Sequence, residues 1–274
     1  MEIRALIELS RPVNIIVASL AVILTAFMTK EMNFKIAYAI LSVCFITAGG
    51  NAINDYYDYD IDNINKPKRP LPSGRITRSE AKWISIATFC IGCIVAFFIN
   101  TPCFIIAVIA SILLYVYARD LKNSGFPGNI TIAGLTGMAI LYAGLSVSSI
   151  DRILYIAAFA FLINMGREII KDAEDIEGDK AMGAKTLAIK YGIGKALKLS
   201  LIPLFLVILI TPIPFFTGLY NTYYMAIIII GIDLPIVYMA SRIFVAPTTE
   251  TAEKSKTLLK IMILIGIVAL YLGL

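Results

Sequence analysis

The sequence predicts an all-α membrane protein with nine transmembrane helices, on three observations. The first is composition: 59% of the 274 residues are hydrophobic and only 16% are charged, with a mean hydropathy of +0.83. A soluble domain carries about 25% charged residues. The second is a series of nine apolar windows long enough to cross a hydrocarbon core about 30 Å thick. The third is the unequal distribution of Lys and Arg between their two ends. All of 1–274 reads as a single polytopic domain.

The windows fall at 12–29, 34–54, 82–100, 102–118, 128–149, 152–171, 197–217, 222–244 and 257–273. The charged segment Met1–Ser10 precedes the first, whose apolar run is too long for a signal-peptide core, so no cleavable leader is expected. Thr101 and Pro102 divide the third window from the fourth, and Gly125-Phe126-Pro127-Gly128 divides the fourth from the fifth. Gly218 and Asn221 are the only break between the seventh and eighth. With a cytoplasmic N-terminus, the far-side cations are Lys30, Lys35 and Arg152, and the other 21 of the 24 Lys and Arg lie on the near side. A miscounted helix would scramble that asymmetry. The chain is therefore expected to be a multi-pass protein of the cell membrane. Its two long connections, about 55–81 and 172–196, face the cytoplasm. They lie four helices apart, so the chain reads as two similar halves plus a final helix.

There is no histidine. That excludes His-based acid–base catalysis, a Ser-His-Asp triad and His-ligated zinc. The Cys90-x-x-Cys93 pair sits inside an apolar helix and reads, like Cys44 and Cys103, as small core residues.

Both long connections open on acids. The first reads Asn54-Asp55-Tyr56-Tyr57-Asp58-Tyr59-Asp60-Ile61-Asp62, the second Asp172-Ala173-Glu174-Asp175-Ile176-Glu177-Gly178-Asp179. Carboxylates so close to hydrocarbon are costly unless something neutralises them. On one continuous helix, Asn54, Asp58 and Asp62 fall at i, i+4 and i+8 and share a face; Asp175 and Asp179 repeat the i, i+4 relation, with Asp172 one turn earlier. Two carboxylates about 6 Å apart repel by roughly 3 kcal/mol at an effective dielectric near 20. A divalent cation reverses that sign, and an oxygen-only donor set suits Mg²⁺ or Mn²⁺ rather than zinc. Asp55, Asp60, Glu174 and Glu177 fall off the shared faces and read as surface charge or loop contacts. Basic stretches follow each acidic segment: Lys66-Pro67-Lys68-Arg69 after the first, and Lys180 and Lys185 after the second. A further near-side loop carries Arg119 and Lys122, and Arg11 precedes Pro12. Most such cations set topology or meet anionic headgroups. Arg167 and Glu168, late in a membrane helix, read as either a mutual pair or site residues, and Asp233 is the only deep acid.

In combination these motifs resemble the UbiA superfamily of intramembrane prenyltransferases. Asn54-Asp55-x-x-Asp58-x-x-x-Asp62 followed by Asn65-Lys66-Pro67-x-Arg69-Pro70-Leu71-Pro72-Ser73-Gly74 is similar to the first signature of that family. Lys171-Asp172-x-x-Asp175-x-Glu177-Gly178-Asp179, then Gly183-x-Lys185-Thr186, is similar to the second. Tyr115, Leu121-Lys122 and Gly125-x-x-Gly128-Asn129 resemble the motif between helices four and five, and Ser10-Arg11-Pro12 the start of helix one. The resemblance covers essentially the whole chain. It implies nine helices around a central cavity capped by the two Asp-rich loops, and Mg²⁺-dependent transfer of an isoprenyl chain from its pyrophosphate to an acceptor. It implies Asn54, Asp58 and Asp62 around one Mg²⁺, and Asp172, Asp175 and Asp179 around a second. Arg69, Lys122 and Lys185 become pyrophosphate contacts, Arg11 and Lys66 contacts to an acceptor phosphate, and Tyr115 and Asn129 substrate contacts. Asp62 or Asp172 becomes the proton acceptor, with Lys122 assisting the departing pyrophosphate. The second motif is most similar to that of the archaeal branch that geranylgeranylates geranylgeranylglyceryl phosphate. The partners implied are an isoprenyl pyrophosphate, a lipid acceptor and membrane lipids, with no nucleic acid. An aromatic or quinone-precursor acceptor is the alternative within the family. A metal-ion transporter is the alternative outside it, disfavoured because the acids cluster at one membrane face rather than the midplane.

Overall fold

The computed structural model describes residues 2–29, 33–147, 151–181 and 183–274, and every regular element among them is a helix. Lys30, one of the three expected far-side cations, lies outside the described residues. Eight helices among the described residues are long and apolar enough to cross a membrane. A ninth span depends on α1 (Ile3–Ser10) and α2 (Pro12–Thr29), which meet at a 53° bend. The bend falls at Arg11, whose φ of 50° is left-handed, a conformation the following proline and the lack of a glycine make costly. α1 is an amphipathic helix: Ala5 and Leu9 are buried with Ala52, Leu71, Ile76 and Ala81, while Glu8 meets Arg75 at 2.6 Å.

The remaining helices are α3 (Lys35–Tyr57), α4 (Tyr59–Asn65), α5 (Arg78–Phe97), α6 (Thr101–Val116), α7 (Phe126–Ser146), α8 (Asp151–Glu174), α9 (Ile176–Ala181), α10 (Leu187–Tyr191), α11 (Ile193–Ile210), α12 (Ile213–Phe216), α13 (Thr222–Ile228), α14 (Leu234–Val245) and α15 (Thr249–Leu272). Two π-helical stretches, Tyr117–Leu121 and Ile229–Asp233, extend α6 and join α13 to α14. Start signals in the sequence explain several boundaries. Thr77 and Glu80 form a reciprocal capping box on α5, and Asn100 caps α6 ahead of Pro102. Asn221 caps α13 and Thr248 caps α15. α5 and α15 begin earlier than their apolar windows because polar first turns such as Arg78–Lys82 and Thr249–Lys256 continue the helix toward the headgroups. Hydropathy registers only the part in hydrocarbon. Exposed Ile105, Ile109 and Ile112 on α6 are the lipid-facing counterpart of a soluble protein's polar face.

The chain divides into two compact units, Met1–Asp120 with Met138–Ile150, and Leu121–Gly137 with Asp151–Leu274. In the first, α3 and α5 approach closely because each carries a glycine at the crossing. A Cβ on Gly49 would stand 2.8 Å from Phe89 and Thr88, and one on Gly92 2.7 Å from Ile46. The same approach lets Ser42 donate to the Gly92 carbonyl (2.9 Å) and Ser85 to the Gly49 carbonyl (2.8 Å). Small residues and hydroxyl bridges do here what the hydrophobic effect does in water. In the second unit α8 and α11 meet at Gly166, where a Cβ would stand 2.7 Å from Leu204. Ile163, Ile170, Leu197, Ile232 and Met239 fill the surrounding core. The deep acid Asp233 is accounted for here: Thr211 donates to it at 3.1 Å.

Gly92→Val should destabilise by about 1–3 kcal/mol, the usual range for forced overpacking. Ser85→Ala should cost about 0.6 kcal/mol, the average for an interhelical hydrogen bond in a membrane. Thermal melting of the purified protein in detergent checks both the direction and the order.

Candidate active site

At the first acidic segment the long helix is interrupted. α3 ends at Tyr57, Asp58 takes φ −81° and ψ 1°, and α4 resumes at Tyr59. Backbone hydrogen bonding runs through the break, Asp58 N–H to the Asn54 carbonyl at 2.9 Å and Asp62 N–H to the Asp58 carbonyl at 2.8 Å. Asn54 and Asp58 therefore stand side by side as expected, the carboxamide donating to the carboxylate at 2.9 Å. Asp62 has a different environment. It is 4% exposed, with Arg69 at 2.5 Å and Lys66 at 3.9 Å.

Asp55 corrects the surface reading and fits its alternative, a loop contact. It is as buried as Asp62, and is held by the guanidinium of Arg11 and by Arg69 Nη1 at 3.2 Å. The helical-face argument followed Asn54, Asp58 and Asp62. α1, the bend at Arg11 and the loop after α4 instead cover the adjacent face, and only tertiary packing decides that. Arg69 and Arg11, expected to meet substrate phosphates, are thus engaged by carboxylates. Two guanidiniums compensate two acids that would otherwise be strongly destabilising in place. The loop that carries Arg69 is pinned as well: Arg75 donates to the Lys68 carbonyl at 2.8 Å. Lys66, Lys68 and Arg69 line an open groove with Glu8. Nearby, the hydroxyl of Tyr57 donates to that of Tyr115 at 3.1 Å, and Arg119 lies 5.9 Å from the Tyr115 ring.

The second segment repeats the device. α8 ends at Glu174, Asp175 interrupts, and α9 follows, with Asp175 N–H on the Lys171 carbonyl (2.9 Å) and Asp179 N–H on that of Asp175 (3.0 Å). Asp175 is exposed and Asp179 half-buried. Burial, and then the neighbouring Asp175 charge, push the Asp179 carboxyl above its ordinary range, with Lys171 opposing. Asp172 accepts from the buried Asn129 side chain at 2.8 Å. Asn129 lies in the first turn of α7, which two glycines position. Gly125 has φ 74°, and a Cβ there would stand 2.3 Å from the Lys185 carbonyl; one on Gly128 would stand 2.4 Å from that of Leu121. Lys185 N–H in turn donates to Asn123 O at 2.9 Å. Lys122 and Lys185, both exposed, hence project from adjoining backbone.

Glu174 is a second correction. Read as surface charge or a loop contact, it is a largely buried partner of Lys256 on α15, 2.5 Å away; an 82-residue separation leaves no local signal for such a pair. Arg167 and Glu168 pair with each other at 2.6 Å, and Lys171 stands 3.9 Å from Glu168.

The donor chemistry fits magnesium. Asn54 with Asp58, and Asp175 with Asp179, are oxygen donors on successive turns, and the raised Asp179 carboxyl marks a place where added positive charge is favourable. Among the described residues no three carboxylates or other strong ligands close into a complete cage. Mg²⁺ commonly takes one or two carboxylates and fills its shell with water and phosphate oxygens.

A family model described as the UbiA prenyltransferase family matches residues 15–264. The chain is 39% identical over 272 residues to the digeranylgeranylglyceryl phosphate synthase of Thermococcus kodakarensis, covering 98% of this chain and 97% of that protein. It is 38% identical to the protein of the same name from Saccharolobus solfataricus, over 100% of this chain and 98% of the relative. A solved structure described as giving structural and mechanistic insights into digeranylgeranylglyceryl phosphate synthase in membranes superposes with a TM-score of 0.93. It has 36% identity and covers 98% and 97% of the two chains. A UbiA homologue from Archaeoglobus fulgidus bound to GPP and Mg²⁺ shares the fold, with a TM-score of 0.67 at 21% identity over 97% and 99%.

Arg69→Met should destabilise the protein by about 3 kcal/mol, because it leaves Asp62 with only a distant lysine and strips Asp55 of one of two cations. Adding Asp55→Asn to Arg69→Met should recover part of that loss. A double-mutant cycle on melting temperature in detergent tests the coupling.

Proposed function

Because this chain belongs to the UbiA prenyltransferase family, we propose that it transfers a geranylgeranyl group from geranylgeranyl pyrophosphate to the free hydroxyl of geranylgeranylglyceryl phosphate. The observation that carries this reading is the near-full-length match, at 38–39% identity, to relatives bearing the synthase name. The site geometry supports it with two carboxylate-bearing helix breaks, each accompanied by cations. The product is the diether precursor of archaeal membrane lipids. Residues 1–274 act as one polytopic domain, and the positive-inside distribution supports a cytoplasmic N-terminus and cytoplasmic acidic segments.

Asn54 with Asp58, and Asp175 with Asp179, would hold Mg²⁺, with Asp62 and Asp172 one turn away on their segments. When bound, the metal neutralises charge on the pyrophosphate. Lys122 and Lys185, brought together by the Asn123 backbone contact, give further charge-assisted hydrogen bonds to the leaving group. These favour the transition state, because charge accumulates on pyrophosphate as the allylic C–O bond breaks. The acceptor oxygen forms the new C–O bond and loses its proton to a carboxylate. Asp172 is better suited than Asp62. Its oxygen accepts from the neutral Asn129, whereas both Asp62 oxygens face cations. Lys66, with its side chain 55% exposed, is available to the acceptor's phosphate, with Arg11 behind it. Tyr115 and Asn129 are proposed as substrate contacts, and apolar helix faces would hold the prenyl tail and exclude water.

Radiolabelled geranylgeranyl pyrophosphate offered with geranylgeranylglyceryl phosphate, or separately with 4-hydroxybenzoate, tests the reading. Label should enter the ether lipid, and EDTA should abolish the transfer. Asp58→Ala should lower the rate by about 100-fold or more. Transfer to the aromatic acceptor alone would sink the acceptor assignment and keep the chemistry. Asn129→Leu should lower kcat more than it changes KM for either substrate, since it acts through Asp172.

A further inference from the structure

We propose that the groove between α14 and α15 is a binding site for a membrane phospholipid with an anionic phosphate headgroup, separate from the prenyl-transfer residues. The groove is open to solvent and lies where both helices leave their apolar spans. Tyr238, Met239, Ala246 and Leu258 form its apolar wall; Arg242, Thr248, Glu250, Thr251, Lys254 and Ser255 form its polar one.

Ser255 is the telling residue. It is 4% exposed and lines the groove, yet its hydroxyl has no hydrogen-bond partner among the described residues. The oxygen is not itself sealed from the groove, so a ligand atom there can accept its hydrogen bond. The neighbouring hydroxyls are already used: Thr251 donates to the Ala246 carbonyl at 2.6 Å, and Thr248 caps the Thr251 N–H at 3.2 Å.

Charge identifies the ligand. Arg242 and Lys254 are exposed, and Glu250 is the single opposing acid, 2.6 Å from Lys254. The positive end of the 24-residue α15 opens at the same place. One excess positive charge, a helix N-terminus and an unmet hydroxyl together suit a phosphate monoanion. The apolar wall below suits the chains attached to it, and Tyr238, 62% exposed, is placed as interfacial aromatics are. The groove also has a path to the second acidic segment. Lys256, the residue after Ser255, grips Glu174 at the end of α8, directly before Asp175. Lipid held at Ser255 therefore steadies the turn of α15 that anchors that segment.

The test uses the full chain in detergent, titrated with phosphatidylglycerol or phosphatidylcholine and read by native mass spectrometry and melting temperature. One phosphatidylglycerol should bind preferentially. Arg242→Gln with Lys254→Gln should weaken it by about tenfold or more, and Ser255→Ala should weaken it severalfold while leaving the charge unchanged. Lys82→Gln with Lys195→Gln, which removes the same charge elsewhere, should leave binding as it was. Equal losses in the groove and control variants would overturn the proposal. So would phosphatidylcholine binding as tightly, or inorganic phosphate at the same concentration giving the same protection. If the double variant does not fold, unchanged binding in Ser255→Ala overturns the proposal on its own.

Discussion

The first unit depends on a single compensation: two buried aspartates, Asp55 and Asp62, bridged by Arg69 and completed by Arg11 and Lys66. Neither acid is tolerable alone at the end of a membrane helix. Their partners come from two separate stretches of chain, the bend after α1 (Arg11) and the proline-rich loop before α5 (Lys66 and Arg69). The network therefore fixes where those stretches sit. The left-handed Arg11, an expensive conformation before a proline, makes sense in this light. It turns the chain out of α1 and into α2 while delivering a guanidinium to Asp55.

The second unit uses the same backbone device with a different electrostatic solution. Both long helices stop at an aspartate, Asp58 or Asp175, and resume as a short helix with the i to i−4 bonds unbroken. Three residues before each break lies another acid. In the first unit that acid, Asp55, is neutralised by guanidiniums; in the second, Asp172 is met by the neutral amide of Asn129. A guanidinium therefore meets the acid before the first break directly, whereas the acid before the second is met by an amide, with Lys171 acting from further off.

Much of this was legible in the sequence. The apolar windows, the breaks at Pro102 and at Gly125 to Gly128, and the two acidic segments all follow from local composition, and the helices fall close to them. The Asn54–Asp58 contact follows from helical spacing alone. The burial of Asp55 and Glu174 was missed for one reason. Helical periodicity says which residues share a face, but not which face the rest of the chain covers. Glu174 is buried by a lysine 82 residues away. The one available signal for Asp55 was the abundance of arginines, Arg11 and Arg69, held near it by prolines that leave little freedom to seek other partners.

The placement of chemistry along the helices follows from the energetics of charge in hydrocarbon. Substrates with long isoprenoid tails and phosphate heads require a reaction zone at the boundary between the two media. A carboxylate at mid-membrane costs about 3 kcal/mol or more, and that cost falls off toward the helix ends. The acidic segments occupy those ends, where water and lysines can reach them. Asp233, the one acid set deeper, illustrates the other solution. It sits at the end of a π-helical stretch before Pro235, and a threonine hydroxyl rather than a cation meets it. An acid satisfied by a neutral donor can remain at that depth; a cluster of several acids cannot. Both long helices therefore carry their aspartates at the turn where the apolar span gives way to water, and the interruption at Asp58 and Asp175 lets each helix end there without losing its backbone hydrogen bonds.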